Sequence, residues 1–316
     1  MMKAVILNNT GDTSQLSIEE IKIPVCGADG VLIKVKAFSI NPIDIKIRKG
    51  NRFSEKLLSD KPSILGWDLS GTIEKVGENV TTFNKGAKVF GMINFPNFGK
   101  TYAEYAVCNP ADLMKIPENI DFLQAAATPL AALTAFQALK DYGKLKAGTK
   151  VLIHGAGGGV GHFGVQISKY FGAEVIVTSS ESKRNFVLEL GADKHIDYQK
   201  VPFEKQMEKV DVVFDLIGGS YIDRSLEVLK PGGIIISIPT ATNSGVEEKA
   251  LAKGCIGIAF KLKPKPEDWK EITSLLEQGT IKPFVSEVFD FDNIREAHQT
   301  LEKGGIKGKV VVKTNF

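Results

Sequence analysis

The sequence contains little cysteine. Its 316 residues include three cysteines, Cys26, Cys108 and Cys255, which lie far apart and show no C-x-x-C spacing. This scarcity argues against a disulfide framework and against a four-cysteine zinc site. Reduced thiols suit a reducing compartment, and the first apolar run, AVIL, is too short for the core of a signal peptide. A cytoplasmic location is therefore expected.

Long hydrophobic runs are also scarce. One uncharged stretch, residues 122–139, has the length of a membrane span. It is mostly alanine and contains Pro129, two glutamines and two threonines, a composition that predicts a buried helix interrupted at the proline. No membrane segment is expected.

An excess of charge of one sign is missing as well. Forty basic residues face 37 acidic ones, spread along the chain, for a net charge of +3. This balance provides no electrostatic footprint for nucleic acid or for an anionic membrane surface. A small or weakly charged partner is expected.

Residues 150–260 alternate short apolar runs with amphipathic segments. The runs are rich in β-branched residues and almost continuously apolar, which is typical of strands covered on both faces. Their alternation with helical patterns predicts one domain with a doubly wound parallel sheet, an α/β fold. The runs are KVLIHG, EVIVTSS, KHIDY, DVVFDLIG, GGIIISIP and CIGIAF.

The first 120 residues have a different pattern, with short extended pieces broken by glycine, proline and asparagine. Turn signals at this frequency predict an antiparallel, partly barrel-like β domain. The tail, residues 287–315, has a strand–helix–strand pattern and is expected to return to this domain. A chain of 316 residues is long enough for two domains, and the second is then an insertion in the first.

Residues 151–169, VLIHGAGGGVGHFGVQISK, contain six glycines after an apolar run. The strict G-x-G-x-x-G pattern fits only residues 159–164, too far from the strand to form its first turn. Counted from the strand end, the three glycine positions of a dinucleotide loop fall on Ala156, Gly158 and Gly161. This register predicts pyrophosphate binding, with an ordinary loop as the alternative. The predicted contacts are Ala156, Gly158, Gly159, Val160 and Gly161.

The tip of the next predicted strand decides which dinucleotide fits. NAD-binding proteins place an acidic side chain there for the ribose 2′-hydroxyl, whereas this strand ends on Ser179 and Ser180. Two hydroxyls followed by Lys183 and Arg184 can surround a 2′-phosphate, so NADP(H) is favoured. It stays open which basic residue holds the phosphate, and whether both lie on a solvated helix face. Glu181 is expected to cap the next helix.

Motifs along nearly the whole chain are shared with a known superfamily. They are MKAVIL, SINPIDIKIRKG (39–50), LGWDLSGTIEKVGENV (65–80), AAATPLAALTAFQAL (125–139), the glycine loop, LGADKHIDY (190–198) and GKVVV. With these, the chain resembles the medium-chain dehydrogenase/reductase superfamily, and within it the zinc-independent quinone oxidoreductases related to zeta-crystallin. The resemblance implies a GroES-like catalytic domain (1–124 and 262–316), an NADP-binding Rossmann domain (125–261), a cleft where nicotinamide meets substrate, and a homodimer.

The resemblance also locates the positions where related alcohol dehydrogenases bind a catalytic zinc ion. These positions fall on Asn41, Trp67 and Leu130, none of which is a usual zinc ligand. Asp68 is expected to make a structural hydrogen bond or ion pair. The scattered histidines are expected to be core, strand-end or helix-surface residues: His154, His162, His195 and His298. No metal site is predicted.

Several site residues follow from the resemblance. Asn41 is placed beside the nicotinamide, where its amide can donate to the acceptor carbonyl, with an Asn-Pro turn as the structural alternative. Asp44 and Arg48 look like a fixed pair that supports this loop. Thr134 matches a position at the nicotinamide end, unless its hydroxyl only bonds its own helix backbone. Tyr198 matches a position near the adenosine phosphate.

Two strand ends supply the remaining cofactor candidates. Ile217 and Gly218 follow one predicted strand, and Pro239 follows the next. The carboxyl ends of parallel strands line the cofactor cleft in such folds, so these residues are expected there, with plain turn residues as the alternative.

Without zinc as a Lewis acid, oxidation of an alcohol is difficult to support. Quinones and α,β-unsaturated carbonyls accept hydride into a conjugated system, so ordinary hydrogen-bond donors can stabilise the charge. Phe53, Trp67 and Phe95 would make the pocket aromatic and suited to flat acceptors. We expect an NADPH-dependent quinone oxidoreductase; an NADPH-dependent reductase of enals or enones shares every motif. A non-catalytic dinucleotide- or RNA-binding protein is the alternative of another class, disfavoured by the missing basic-aromatic pattern.

Overall fold

The structure, a computed structural model, describes residues 1–315. Contacts divide the chain into two compact units. Unit 1 comprises Met1–Leu130, Trp269–Glu277 and Pro283–Phe316, and unit 2 comprises Ala131–Asp268 and Gln278–Lys282. The sequence-based boundaries at 124 and 261 both lie a few residues earlier than these.

Unit 1 begins with antiparallel strands, as its frequent turn signals predict. β1 pairs with β2, and β3 pairs with both β4 and β6, all in antiparallel register. The strands are β1 (Met2–Leu7), β2 (Leu16–Ile21), β3 (Val31–Ser39), β4 (Asp68–Val76), β5 (Lys88–Met92), β6 (Tyr105–Cys108) and β7 (Leu113–Lys115). The helices of this part are α1 (Pro42–Lys49), α2 (Ser54–Ser59) and α3 (Phe122–Ala126).

Unit 2 contains the doubly wound parallel sheet that the sequence predicts. Its strands are β8 (Lys150–His154), β9 (Glu174–Ser179), β10 (Lys194–Asp197), β11 (Val210–Asp215), β12 (Leu229–Ser237) and β13 (Ile256–Ala259). Its helices are α4 (Pro129–Gln137), which begins at the unit boundary, α5 (Gly159–Tyr170), α6 (Arg184–Glu189), α7 (Ser220–Leu226) and α8 (Val246–Ala252). The strand order is β10-β9-β8-β11-β12-β13. The order reverses between β8 and β11, where open α/β sheets bind their ligands.

The apolar runs of unit 2 form its core because both faces of the sheet are covered. Leu152, Val213 and Ile235 of adjacent strands are buried together with Ile222 of α7 and Val246 of α8. Each such side chain, when fully buried, contributes about 1.5–3 kcal/mol relative to an exposed one. This core holds the strand ends, and the loops that follow them, in fixed positions.

The tail returns to unit 1, as the strand–helix–strand pattern predicts. Its elements are β14 (Val285–Asp290), α10 (Ile294–Lys303) and β15 (Lys309–Lys313), and α9 (Pro266–Glu277) precedes it. β15 pairs antiparallel with β3 and parallel with β14. The sheet order is β14-β15-β3-β4-β5-β7, with β6 paired to β3.

The uncharged stretch 122–139 forms two buried helices rather than a membrane span. Pro129 begins α4, because proline is tolerated in the first turn of a helix. Ala126 of α3 and Ala132 of α4 are both fully buried. Across residues 1–315, no helix has the length and apolar character needed to cross a membrane.

Candidate functional site

The glycine-rich loop connects β8 to α5 in unit 2. β8 ends at His154, and Gly155 follows in a left-handed conformation with a φ of +66°. Since this φ favours glycine, the tight turn lies at Gly155. Ala156, to which the sequence analysis assigned the turn, is fully buried instead. The tight turn therefore lies at Gly155, one residue before Ala156, where the sequence analysis placed it.

Close packing explains the glycine at position 161. A Cβ at Gly161 would lie 2.3 Å from the Gly155 carbonyl oxygen and 2.7 Å from Ala156 Cα. Only glycine lets α5 approach the turn this closely, which is the role expected of Gly161. Gly158 caps α5 in an extended conformation, and a Cβ there would meet the Gly155 oxygen at 3.3 Å.

The N-terminal end of α5 is suited to an anion. The backbone N–H groups of the first turn, which includes Gly159 and Val160, have no carbonyl partner within the helix and carry the positive end of its dipole. Lys183 runs beside this loop, since its Cδ lies 2.7 Å from where a Cβ at Gly157 would be. Glycine at 157 thus leaves room for the lysine stem. A dinucleotide pyrophosphate fits a loop of this kind.

The tip of β9 presents hydroxyl groups where an NAD site has a carboxylate. Ser179 ends the strand, and its Oγ lies 3.2 Å from the Ser180 carbonyl oxygen and 3.0 Å from His195 Nε2. Ser180 Oγ lies 3.0 Å from Ser182 Oγ. The chain then turns through Lys183, whose stem contacts the glycine loop. The structure thus brings Ser179, Ser180 and Lys183 to one end of the sheet.

Glu181 does not cap α6, contrary to the expectation. It lies in the short turn before the helix, and its carboxylate contacts Lys200 Nζ at 2.9 Å and Arg184 at 3.9 Å. The hydrogen bond from Lys200 lowers the pKa of Glu181. Arg184 thus faces Glu181, whereas the side chain of Lys183 contacts the glycine-rich loop.

The other cofactor candidates of unit 2 follow strand ends or lie in α4. Tyr198 directly follows β10, while Ile217 and Pro239 each lie two residues after β11 and β12. All three therefore lie at the carboxyl edge of the parallel sheet, and Tyr198 and Ile217 are exposed there. Thr134 lies within α4 and is buried. Contacts between these residues and a cofactor remain predictions.

Asn41 is the N-cap residue of α1 in unit 1 and is buried. Its backbone N–H donates to Asp44 Oδ2 at 2.8 Å, and its Nδ2 donates to Asp68 Oδ2 at 2.8 Å. Its Oδ1 accepts a hydrogen bond from Lys309 Nζ at 2.5 Å. Since an ammonium only donates and a carboxylate only accepts, the amide has one orientation. One Nδ2 hydrogen is left for another acceptor, so the Asn-Pro turn and the donor role are compatible.

Asp68 and Lys309 form a buried ion pair beside Asn41. Asp68 Oδ2 lies 3.7 Å from Lys309 Nζ and accepts a hydrogen bond from Ser39 Oγ at 2.8 Å. Asp68 Oδ1 accepts from the Leu130 N–H at 2.9 Å. Burial raises the pKa of Asp68 and lowers the pKa of Lys309, and each opposite charge counteracts the shift of the other. The predicted structural hydrogen bond and ion pair of Asp68 are confirmed.

Asp44 and Arg48 do not form the expected pair. Asp44 reaches back to the Asn41 N–H at the start of α1, as the third residue of a helix does in a capping box. Arg48, one turn later, pairs with Glu302 of α10 and donates to the Gly11 carbonyl oxygen at 2.6 Å. The predicted Asp44–Arg48 pair was therefore wrong: Asp44 binds the Asn41 N–H, whereas Arg48 binds Glu302 and the Gly11 carbonyl oxygen. Burial raises the pKa of Asp44 to about 7.

The side chains at the three zinc positions of related enzymes do not suit a zinc ion. Asn41 Oδ1 already binds the Lys309 ammonium, whose charge repels a cation. Trp67 Nε1 donates to the Asn97 carbonyl oxygen at 2.6 Å, and Leu130 has no donor atom in its side chain. Within the described residues, no group of three His, Cys, Asp or Glu side chains could hold a metal ion.

Three histidines are buried at separate places. His154 lies between Thr178 Oγ1 at 2.8 Å and Ser225 Oγ at 3.0 Å, and burial lowers its pKa to about 3. Burial also lowers the pKa of His298 in α10 to about 3. His162 is buried within α5. These are core residues, as expected.

Aromatic side chains form a group in unit 1. The ring centroid of Trp67 lies 6.3 Å from that of Phe95 and 6.3 Å from that of Phe98. Phe53 is exposed, with the guanidinium of Arg52 4.8 Å from its ring centroid. The rings grouped around Trp67 are therefore Phe95 and Phe98, of which the sequence analysis did not single out Phe98, and an aromatic acceptor pocket that includes Phe53 stays a prediction.

Sequence reasoning missed three polar residues of these networks. Lys309 lies in the apolar run GKVVV, where a lysine inside a buried strand is itself a signal of a paired charge. Asp215 ends β11 and accepts from the N–H groups of Ile217 and Gly218 at 3.0 and 2.9 Å, which shapes that loop. The third is His195 of β10, the partner of the Ser179 hydroxyl.

Two protein-family models match the chain. The alcohol dehydrogenase GroES-like domain matches residues 27–118, and the zinc-binding dehydrogenase family matches residues 190–312. The name of the second family refers to bound zinc, whereas the side chains of Asn41, Trp67 and Leu130 in this chain are not suitable zinc ligands.

Relatives and a solved structure cover nearly the whole chain. It is 33% identical over 321 residues to 2-methylene-furan-3-one reductase of Solanum lycopersicum, covering 98% of this chain and 79% of the relative. It is 30% identical over 327 residues to the quinone oxidoreductase of Homo sapiens, covering 99% and 98%. The structure of the quinone oxidoreductase from Coxiella burnetii has a TM-score of 0.94 and 36% identity, with 99% of both chains covered. The chain therefore belongs to the medium-chain dehydrogenase/reductase superfamily, within its quinone oxidoreductase family.

Proposed function

We propose that the protein is an NADPH-dependent oxidoreductase that transfers hydride to a quinone and needs no zinc ion. The observation that carries the cofactor choice is the strand tip of unit 2. Its hydroxyls, on Ser179 and Ser180, stand where an NAD site has an acid, and the Lys183 stem lies along the glycine loop. Membership of the quinone oxidoreductase family supports the reaction type.

Different residues of unit 2 are proposed to bind different parts of NADPH. NADPH, when bound, supplies the hydride. The loop from Gly155 to Gly161 and the first turn of α5 bind the pyrophosphate, and Lys183 with the two serine hydroxyls binds the 2′-phosphate. The remaining proposed contacts in unit 2 are Tyr198, Ile217, Pro239 and Thr134.

Asn41 is the proposed hydrogen-bond donor to the acceptor. Its amide orientation is fixed by Lys309 and Asp68, so the same nitrogen is always presented. The Lys309 ammonium on Oδ1 draws electron density from the amide, which makes the remaining Nδ2 hydrogen a stronger donor. A quinone spreads the incoming negative charge over its ring and second oxygen, so one such donor can be enough.

The reaction is tested by steady-state kinetics with NADPH, NADH and a small quinone such as a naphthoquinone. The proposal predicts quinone-dependent oxidation of NADPH with kcat/KM far above that for NADH. Asn41→Asp, which cannot donate when ionised, should lower kcat while leaving the dissociation constant of NADPH within about threefold. NADPH binding without turnover of any acceptor would contradict the proposal and favour the non-catalytic alternative.

A reductase of enals or enones is the second candidate. Similarity to 2-methylene-furan-3-one reductase supports it, since that relative's name describes an activated C=C acceptor. The hydrogen bond proposed for Asn41 serves an enone carbonyl as well as a quinone oxygen. Comparison of kcat/KM for a small quinone and for an alkenal at saturating NADPH separates the two: a higher value for the alkenal would replace the quinone assignment.

The donor set at Asn41, Trp67 and Leu130 supports the proposed independence of zinc. Dialysis of the active protein against a chelator should leave activity unchanged, and elemental analysis should find no stoichiometric zinc. Loss of activity that added zinc restores would contradict this part of the proposal.

We also propose a cytoplasmic homodimer. β13 is the last strand of the parallel sheet, so one side of its backbone lacks a partner within the described sheet. Ile256 at its start is 50% exposed, and Leu251 on the preceding helix is 77% exposed. A second copy that pairs along this edge would cover both side chains.

A further inference from the structure

The hydroxyl of Ser179 has a partner on the neighbouring strand. Ser179 is the last residue of β9 and is 4% exposed, and its Oγ lies 3.0 Å from Nε2 of the half-buried His195 on β10. The same Oγ lies 3.2 Å from the Ser180 carbonyl oxygen. Ser179 and His195 project from the same face of the sheet, because Ser179 pairs with Asp197 two residues further along β10.

A serine hydroxyl has one hydrogen to donate, so its partners compete for it. If His195 Nε2 accepts that hydrogen, Ser179 Oγ offers only lone pairs to a ligand and repels an anion. If His195 instead donates from Nε2–H, the hydroxyl hydrogen can turn from the Ser180 carbonyl to a phosphate oxygen without moving a heavy atom. The direction of the Ser179–His195 hydrogen bond therefore decides whether Ser179 attracts or repels phosphate.

The charged groups around His195 largely neutralise one another. Lys200 pairs with Glu181 at 2.9 Å and with Asp197 at 3.8 Å, and Arg184 also faces Glu181. The charged side chains on the elements around it are Glu174, Glu181, Lys183, Arg184, Glu189, Asp193, Lys194, Asp197 and Lys200. Acidic and basic side chains are nearly balanced in this set, so a proton on His195 adds a positive charge next to the strand tip.

We propose that His195 is a positioning residue for the 2′-phosphate of NADPH: it donates from Nε2 to Ser179 Oγ and thereby turns the Ser179 hydroxyl hydrogen toward the phosphate. This rests on the proposed cofactor site. Two consequences follow. Removal of the His195 donor weakens NADPH and spares NADH, which has no phosphate there. Protonation of the imidazole, which guarantees the donor and adds positive charge, strengthens the preference for NADPH.

The test is a set of dissociation constants for NADPH and NADH, measured by fluorescence titration at fixed ionic strength. Wild type, His195→Leu and His195→Gln are compared at about pH 6 and about pH 8.5, because a protonated imidazole donates from both ring nitrogens whereas a neutral one donates from only one. Leucine has no donor, whereas the glutamine amide donates at every pH and carries no charge. We expect His195→Leu to lower the NADPH-over-NADH preference about fivefold to tenfold at pH 6, with the NADH constant unchanged.

The pH dependence separates positioning from packing. A protonated imidazole donates from Nε2 and carries a positive charge, so the wild-type advantage over the uncharged glutamine should be larger at the lower pH. The phosphate's own second ionisation near pH 6 shifts both proteins alike and cancels in their ratio. The NADPH preference of wild type divided by that of His195→Gln should therefore be about threefold or more at pH 6 and near one at pH 8.5.

Three results would overturn the proposal. An unchanged preference in His195→Leu would remove His195 from the phosphate site while leaving that site intact. A parallel loss of NADPH and NADH binding in both variants would make His195 a packing residue. Equal binding of both cofactors by wild type would overturn the phosphate site itself, and this proposal with it.

Discussion

At the scale of single residues, Lys309 holds the Asn41 network together. It is 4% exposed and bonds Asn41 Oδ1 while lying 3.7 Å from Asp68 Oδ2. Lys309→Met would leave Asp68 buried without its counter-charge, and the variant is expected to lose about 3–5 kcal/mol of unfolding free energy in urea titrations.

Lys313→Met provides the matched control on the same strand. Lys313 pairs with Asp290 at 3.2 Å, but both side chains are about half exposed, so its removal should cost at most about 1 kcal/mol. Similar losses in the two variants would contradict a buried ion pair at Lys309.

Asp44 makes the stability of the protein depend on pH. Burial raises its pKa to about 7 from an ordinary value of 3.8. Between these values the folded chain binds more protons than the unfolded chain at this site, so the stability that Asp44 contributes is highest below pH 3.8 and falls as pH rises toward 7.

Asp44→Asn removes this loss while keeping an oxygen that accepts from the Asn41 N–H. The unfolding free energy of Asp44→Asn minus that of wild type should increase by on the order of 2–4 kcal/mol from about pH 4.5 to about pH 8. Urea unfolding at the two pH values checks the change. A difference between variant and wild type that is the same at both would argue against a raised Asp44 pKa.

At the scale of elements, the two glycines of α5 should respond differently to alanine. Helix propensity favours alanine over glycine by about 1 kcal/mol at both positions. At Gly161 the new Cβ would lie 2.3 Å from the Gly155 carbonyl oxygen, whereas at Gly164 it would lie 3.0 Å from the Phe214 ring. Gly161→Ala is expected to lose about 1–3 kcal/mol of unfolding free energy, and Gly164→Ala less than about 1 kcal/mol. Equal losses would contradict the close packing at the turn.

The elements of unit 2 were predictable because buried parallel strands are continuous apolar runs that stand out from the helices between them. The side-chain partners were not. Asn41 and Lys309 lie 268 residues apart in sequence, and Arg48 finds Glu302 rather than Asp44. Local patterns carry no record of such pairs, because they form only when β15 pairs with β3 and α10 packs nearby.

Smaller errors arose where neighbouring residues compete for one role. The turn after β8 uses Gly155 rather than Ala156, a choice of backbone φ that loop composition alone does not reveal. Glu181 could cap α6 or pair with Lys200, and the ion pair prevails in the folded chain. These corrections move single contacts and leave the predicted cofactor loop and strand tip in place.

At the scale of the whole molecule, the proposed dimer depends on the β13 edge. Ile256→Lys would place a charge on a surface that a second copy must cover, and charged residues on edge strands oppose pairing. Light scattering coupled to size-exclusion chromatography should show wild type at twice the chain mass and the variant as a monomer. Lys249→Glu on α8, which breaks an exposed ion pair with Asp223, serves as the control and should stay dimeric. A monomeric wild type would contradict the dimer.

The central claim is that the protein uses NADPH, and it depends on the positive charge of Lys183 at the end of β9. In the proposed site, Lys183 and a serine hydroxyl at this tip would each donate a charge-assisted hydrogen bond to the 2′-phosphate, worth about 1.5–3 kcal/mol where partly desolvated. Two such bonds favour NADPH over NADH by about two orders of magnitude, at 1.4 kcal/mol per tenfold. A carboxylate at the same place would repel the phosphate and accept from a ribose hydroxyl.

The most direct measurement is the pair of dissociation constants for NADPH and NADH, by fluorescence titration at fixed ionic strength, for wild type, Lys183→Ala and Ser180→Asp. Wild type should bind NADPH about a hundredfold more tightly than NADH. Lys183→Ala should weaken NADPH by about tenfold or more and leave NADH nearly unchanged, and Ser180→Asp should reverse the preference. Equal affinity of wild type for the two cofactors, or a parallel loss of both in Lys183→Ala, would contradict the account.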